Sequence, residues 1–207
     1  MESFKRFTAL AAYLDRPNVD TDLIIPKQFL KRISRDGYGQ FLFNDLRFLP
    51  SGEENLEFSL NFPRFKGAGV LVSGRNFGCG SSREHAAWAL MDYGFKTVIA
   101  ESFGDIFSHN SSKVGLLLVE RPLAEVKDLM GRIEANTGYT LTVDLEGQEI
   151  LGSDGYSCHF NVDPKVKAMF LKGADDIDYT LSHFLPQVAL FEKEHKAPWQ
   201  AVLPEKK

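Results

Sequence analysis

The run Gly69-Val70-Leu71-Val72-Ser73 enters a glycine-rich turn, Gly74-Arg75-Asn76-Phe77-Gly78-Cys79-Gly80-Ser81-Ser82-Arg83-Glu84-His85, and leaves it as Ala86-Ala87-Trp88-Ala89-Leu90-Met91. The first segment is a short apolar run of strand type and the last continues as a helix, so the glycines occupy a strand-to-helix turn. Such a turn commits the chain to a sheet with helices packed on it. It also exposes backbone N–H groups at the positive end of a helix dipole, where an anion can be held. Ser81 and Ser82 are suitable N-cap residues, and Ser81-x-x-Glu84 has the spacing of a capping box.

A capped helix alone would explain the serines and is worth about 1 kcal/mol. It does not explain the rest of the turn. Gly78 and Gly80 leave backbone exposed at an entropic cost, and Arg83 puts a cation where a helix favours acids. A cation there fits an anionic ligand opposite, such as a dicarboxylic acid or a phosphate. Three chemistries compete. As a dinucleotide fingerprint the turn lacks its third glycine, because Arg83 stands where the helix must approach closely. As a thiol nucleophile Cys79 would gain acidity from the helix N-terminus and Arg83, but Phe77 and Ser81 replace the outer glycines of a nucleophile elbow. As a base, Ser81 would need its alkoxide held by backbone N–H groups and a cation, and this turn can offer both.

Composition removes other classes. Across 207 residues, 24 basic residues stand against 28 acidic ones, which gives no basic face for nucleic acid. No apolar run approaches the roughly 20 residues that cross a bilayer, and Met1–Arg6 lacks a signal-peptide core, so a cytoplasmic location is expected. The two cysteines, Cys79 and Cys158, are expected as free thiols. They are too few for an iron–sulfur cluster, which takes about four thiolates. No metal site is expected in this chain, and any cluster would come from a partner.

The remaining elements follow in order. Phe7–Leu14 reads as the first strand, then a polar turn-prone stretch runs from Asp15 to Asp22. Thr97–Ala100 and Gly115–Val119 read as buried strands, with a short helix over Ser102–Ser108 between them. Strand, helix, strand, helix, strand implies parallel crossovers, with the turn at the carboxyl end of a strand, where open α/β sheets bind ligands. Leu123–Ile133 reads as a helix. Tyr139–Val143, Glu149–Leu151 and Tyr156–Phe160 alternate between turns and suggest an antiparallel meander. Pro164–Leu171 and Ile177–Glu194 read as closing helices, and Pro204–Lys207 as a frayed tail. The expectation is one domain over 1–207, with C-terminal helices (about 164–195) packed on it.

Two separated motifs carry a resemblance. The run Asn76–Ala86, with Asn18-Val19-Asp20-Thr21-Asp22-Leu23-Ile24-Ile25-Pro26 upstream, closely resembles the small subunits of 3-isopropylmalate dehydratases, in the aconitase superfamily. The likeness extends from about Leu10 to the C-terminal helix. It implies an α/β fold of the swivelling aconitase type, with parallel strands, flanking helices and the meander. The chain departs from the common pattern at Ala87, at Ser111 and Val114, and at Arg35-Asp36 before Gly37.

The resemblance also implies an activity. A hydro-lyase would interconvert 2- and 3-isopropylmalate through 2-isopropylmaleate in leucine biosynthesis, acting only with a large subunit whose [4Fe-4S] cluster serves as Lewis acid. Ser81 and Arg83 would be catalytic. Asn76, Gly78, Cys79, Gly80 and Ser82 would bind substrate and hold the oxyanion, with Asp22 and Thr21 in support. Leu30, Lys31 and Arg32 would sit on the loop that reads the variable part of the substrate. His85 is expected to be a structural hydrogen-bonding residue. Two other readings stay open: a related hydro-lyase small subunit acting on homoaconitate, citraconate or dimethylmalate, and a non-catalytic anion-binding regulatory module.

Overall fold

In the computed structural model, which describes residues 1–31 and 37–195, the chain is organised around strand β1, Phe7–Leu14. Its two halves face different partners. Phe7–Leu10 pairs antiparallel with β5 (Thr140–Asp144), in register Phe7 to Val143, while Ala11–Leu14 pairs parallel with β2 (Val70–Ser73), in register Ala11 to Val70. β3 (Thr97–Ala100), β4 (Leu117–Glu120), β6 (Glu149–Gly152) and β7 (Ser157–His159) complete a seven-stranded sheet in the order β4-β3-β2-β1-β5-β6-β7. β1 to β4 are parallel and β5 to β7 form the antiparallel meander. The expected parallel unit and meander are therefore halves of one sheet joined through β1.

Burial follows pairing type. All residues of β2 and β3 are buried, as in parallel strands covered on both faces. β5 alternates, with Leu141 and Val143 inside, as a half-covered antiparallel strand does. Helix α3 (Glu84–Tyr93) follows β2 and ends at Gly94, whose φ of 119° lets its N–H reach back to the carbonyls of Leu90 and Met91. α4 (Asp105–Val114) lies between β3 and β4. α5 (Leu123–Ala135) buries Val126, Leu129, Met130 and Ile133, the i, i+3, i+4, i+7 stripe of a core-facing helix. The long connection from β1 to β2 holds two single-turn helices, α1 (Thr21–Ile24) and α2 (Asn44–Arg47), and several 3₁₀ turns.

Some boundaries differ from the sequence reading. The helix expected over Ser102–Ser108 begins only at Asp105, because Phe77 and Phe103 form a parallel bridge that keeps residues 102–104 extended. The third strand starts at Leu117, since Gly115 closes α4 with φ 89°. The polar loop before Asp22 ends in a helical turn because Asp20 accepts the N–H of Leu23 at 2.7 Å and caps it. Of the closing helices, α6 (Pro164–Lys172) buries Met169 and Phe170, whereas α7 (Asp176–Glu194) presents its apolar side chains to solvent. The tail Pro204–Lys207 lies outside the described residues.

Candidate active site

The two motifs meet at the carboxyl ends of β1 and β2, where the loops that follow these neighbouring strands run side by side. Asn18 N–H donates to the carbonyl of Arg75 at 2.9 Å, Gly78 N–H to that of Val19 at 2.7 Å, and Thr21 N–H to that of Cys79 at 2.9 Å. The Thr21 hydroxyl, 1% exposed, donates to the carbonyl of Ser81 at 3.0 Å. On the other side, the Asn76 and Phe77 N–H groups donate to the Ser102 hydroxyl at 2.9 Å and its carbonyl at 3.0 Å. The turn is thus sutured along both edges through fixed backbone groups.

This suturing leaves a specific set of atoms free. The carbonyls of Cys79 and Ser81 are taken by Thr21, but among the described residues the N–H groups of Gly80, Ser81 and Ser82 donate to no protein acceptor. Gly80 adopts φ 93° and Gly78 φ 75°, conformations that side chains resist. A Cβ on Gly78 would sit 2.2 Å from the ring of Phe107, so the glycine also permits the turn to lie flat on α4. Gly80, Ser81 and Ser82 are exposed.

The expected capping box does not form. α3 starts at Glu84 with Arg83 at the N-cap, in extended backbone (φ −139°, ψ 105°) and without a capping side chain. Thr21 instead holds the Ser81 carbonyl, which ties residues up to 81 to the other loop ahead of the helix. The outcome is an uncapped helix N-terminus beside free loop amides, with Ser81 exposed on the same turn.

Arg83 ion-pairs with Asp22, whose carboxylate is half-exposed while the arginine side chain is mostly covered. A cation from one motif is therefore aimed by an acid from the other. Cys79 corrects the thiol reading. Burial, and then the nearby Asp20 carboxylate, push its thiol up, away from the thiolate form that a nucleophile needs. His85 lies against the rings of Tyr38, at 5.2 Å, and Trp88, at 4.6 Å, and burial lowers its basicity.

The segment expected to read the substrate is preceded by a 3₁₀ turn, Lys27–Phe29, where Phe29 stacks on Phe41 at 4.1 Å. It is followed by Tyr38, fully buried beside α3, and Gly39, whose N–H donates to Asp92 at 2.7 Å. Leu30 is half-buried and Lys31 exposed, with no bond from either to the glycine turn, and Arg32 lies outside the described residues. Among the described residues no group of three or more His, Cys, Asp or Glu is placed to hold a metal. Cys79 and Cys158 are on separate elements, the turn and β7, so the donor set of this chain does not fit a four-thiolate cluster.

Sequence reasoning overlooked three contributors. Asn18 is left-handed (φ 54°), as is Asn76 (φ 57°), and the amide of Asn76 donates to that of Asn18 at 2.8 Å. An asparagine in each motif was the available signal, since asparagine tolerates this conformation. Ser102 and Phe107 carry no such signal. They reach the turn only through the packing of the β3–α4 connection on it.

Known proteins resemble this chain over most of its length. The family model described as Aconitase C-terminal domain matches residues 1–123, and one described as LeuD_N matches residues 127–164. A protein of Halalkalibacterium halodurans named 3-isopropylmalate dehydratase small subunit is 53% identical over 192 residues, covering 93% of this chain and 98% of its own. One of the same name from Bacillus subtilis is 51% identical over 201 residues, covering 97% and 100%. The crystal structure of 3-isopropylmalate dehydratase (leuD) from Methanocaldococcus jannaschii aligns with a TM-score of 0.62 at 27% identity, covering 91% of this chain and 98% of that one.

Proposed function

We propose, for a chain that belongs to the family of 3-isopropylmalate dehydratase small subunits, that it supplies the proton-transfer half of a split hydro-lyase in leucine biosynthesis. The enzyme interconverts 2- and 3-isopropylmalate through 2-isopropylmaleate, and it acts in the cytoplasm with a large subunit. The observation that carries the division of labour is the open turn. An exposed serine shares its turn with unbonded amides, next to an arginine ion-paired to an acid.

Each residue then has a task. Dehydration removes a proton from the carbon beside a substrate carboxylate, and rehydration returns one. Ser81, as alkoxide, takes and returns that proton. The amides of Cys79, Gly80 and Ser82 hold the alkoxide charge, assisted by the helix N-terminus. Arg83 binds a substrate carboxylate through its paired donors, and Asp22 orients it. Thr21 and Asn76 fix the turn, while Leu30, Lys31 and Arg32 contact the part of the substrate that varies among related acids. The [4Fe-4S] cluster of this enzyme class is assigned to the large subunit, because the donor set here does not fit it.

The test is reconstitution. The purified chain, mixed without oxygen with a cluster-loaded 3-isopropylmalate dehydratase large subunit, is expected to produce alkene absorbance from 3-isopropylmalate, and neither chain alone should do so. Turnover by this chain alone would refute the division of labour. A bound but silent mixture that turns over homoaconitate, citraconate or dimethylmalate would reassign the substrate.

A further inference from the structure

Helix α7 carries a feature that the active-site turn does not use. Ile177, Leu181, Phe184, Val188 and Phe191 recur at alternating spacings of four and three, the a/d pattern of a helix that packs along one seam. Their exposures run from 40% to 68%, so the seam is uncovered among the described residues. Isolated exposed apolar residues are ordinary, but a contiguous stripe of this kind marks an interaction surface. The helix itself is firmly started: Asp175 and Asp178 form a capping box.

The flanks of the seam indicate what covers it. In the same heptad frame the charged residues at the e and g positions are Asp178, Glu192 and Glu194, all acidic, and Lys193 falls at f, away from the seam. These flanking positions set partner choice. In an antiparallel pair of α7 helices Asp178 of one copy would face Glu192 of the other, and a parallel pair would gain no opposite-charge contact at its e and g positions. The complementary surface is an apolar groove with a basic rim on a different chain.

We propose that α7 is the docking helix by which this chain engages its large subunit, laying the 177/181/184/188/191 seam into such a groove in the helix-in-groove manner. The proposal rests on the reading that the chain works with a large subunit. The experiment titrates the full chain into purified 3-isopropylmalate dehydratase large subunit by calorimetry, with sedimentation velocity and melting of each chain alone. The wild-type chain is expected to be monomeric and to bind. L181E/V188E, at exposed positions, should melt as wild type does and bind at least about 100-fold more weakly. E192Q/E194Q should retain the fold and weaken binding with a shallower salt dependence, which carries the test should the first variant melt early. Binding of both variants within twofold of wild type would overturn the docking role while leaving the reconstituted activity in place. A wild-type dimer that L181E/V188E dissociates would assign the seam to a second copy instead. Failure of the wild-type chain to bind at all would refute the partnership on which the proposal rests.

Discussion

Arg83, the residue before α3, is ion-paired to Asp22, in the helical turn after β1, so each of the two sequence motifs contributes one member of the pair. A pair of this type, with its carboxylate half-exposed, adds only about 0–1 kcal/mol to stability. Its value is orientation. Replacing Asp22 with asparagine is therefore expected to leave the melting temperature nearly unchanged while raising KM for isopropylmalate. Arg83→Ala should lower kcat/KM by about 100-fold or more, since a charge-assisted contact to substrate is lost outright. Steady-state kinetics of the reconstituted enzyme check both. An Arg83→Ala enzyme with unaltered kcat/KM would remove the guanidinium from substrate binding.

Ser81→Ala removes one exposed hydroxyl and breaks none of the bonds that suture the turn, because Thr21 holds the Ser81 carbonyl and not its side chain. Loss of a positioned base is expected to lower turnover by about 10²–10⁴-fold. Melting and large-subunit affinity should match wild type. Near-normal turnover in Ser81→Ala would assign proton transfer to another group.

The sequence announced the turn because its signals are local. Glycines at 78 and 80 and a strand-type run at 70–73 next to a helical one describe one strand-to-helix junction without reference to the rest of the chain. The same locality explains the errors. Ser81 and Glu84 have capping-box spacing, but the helix begins at Glu84 and the Ser81 carbonyl is held by the distant Thr21 instead. Cys79 has the neighbours of an acidic thiol in sequence, but its burial and the approach of Asp20 from the other motif reverse the direction. The dual role of β1 was equally illegible, since an eight-residue strand gives no sign that its halves pair in opposite senses.

Gly78→Ala probes the flatness of the turn. The added Cβ would meet the Phe107 ring at 2.2 Å in a backbone at φ 75°. Strained backbone costs about 1–3 kcal/mol, and overpacking adds about the same again. The variant is expected to lower the melting temperature by about 5–15 °C, on the basis that 1 kcal/mol shifts a domain of this size by about 2–4 °C. Adding Phe107→Ala removes the ring contacts at 2.2 and 2.4 Å but leaves the residue 107 Cβ at 2.7 Å and the φ penalty, so it relieves the clash only in part and the two changes will be non-additive in denaturant titrations.

Cys79 should behave as a poorly ionised thiol. With its titration raised by burial and by Asp20, alkylation by iodoacetamide at pH 7.5 is expected to run more slowly than that of a small free thiol. Cys79→Ser should retain most of the turnover, because the backbone N–H at this position, not the sulfur, is the group that the proposed oxyanion site uses. Rapid alkylation coupled to loss of activity in a chain lacking a bulky side-chain clash would reopen the thiol reading.

The acid limb of the stability curve should show two separate losses. Burial lowers His85 below the ordinary histidine value of 6.5, partly opposed by Glu84 and reinforced by Arg83. The unfolded chain then binds the proton more readily, so the stabilisation tied to neutral His85 is present above about pH 6.5 and declines as the pH falls below it. Asp154 has the second window. The Tyr139 hydroxyl donates to it at 2.7 Å and holds its carboxyl down to about 2 from 3.8, with Arg132 also paired to it. Its contribution is present above about pH 4 and is lost only as the pH falls toward 2. Urea titrations at intervals from pH 7.5 to 2.5 are expected to resolve the two steps. His85→Gln should abolish the upper step and leave the lower one, and Tyr139→Phe should weaken the lower step alone. A His85→Gln chain that still loses stability to the same extent as the pH falls below 6.5 would show that the Tyr38–His85–Trp88 cluster is not the group that titrates there.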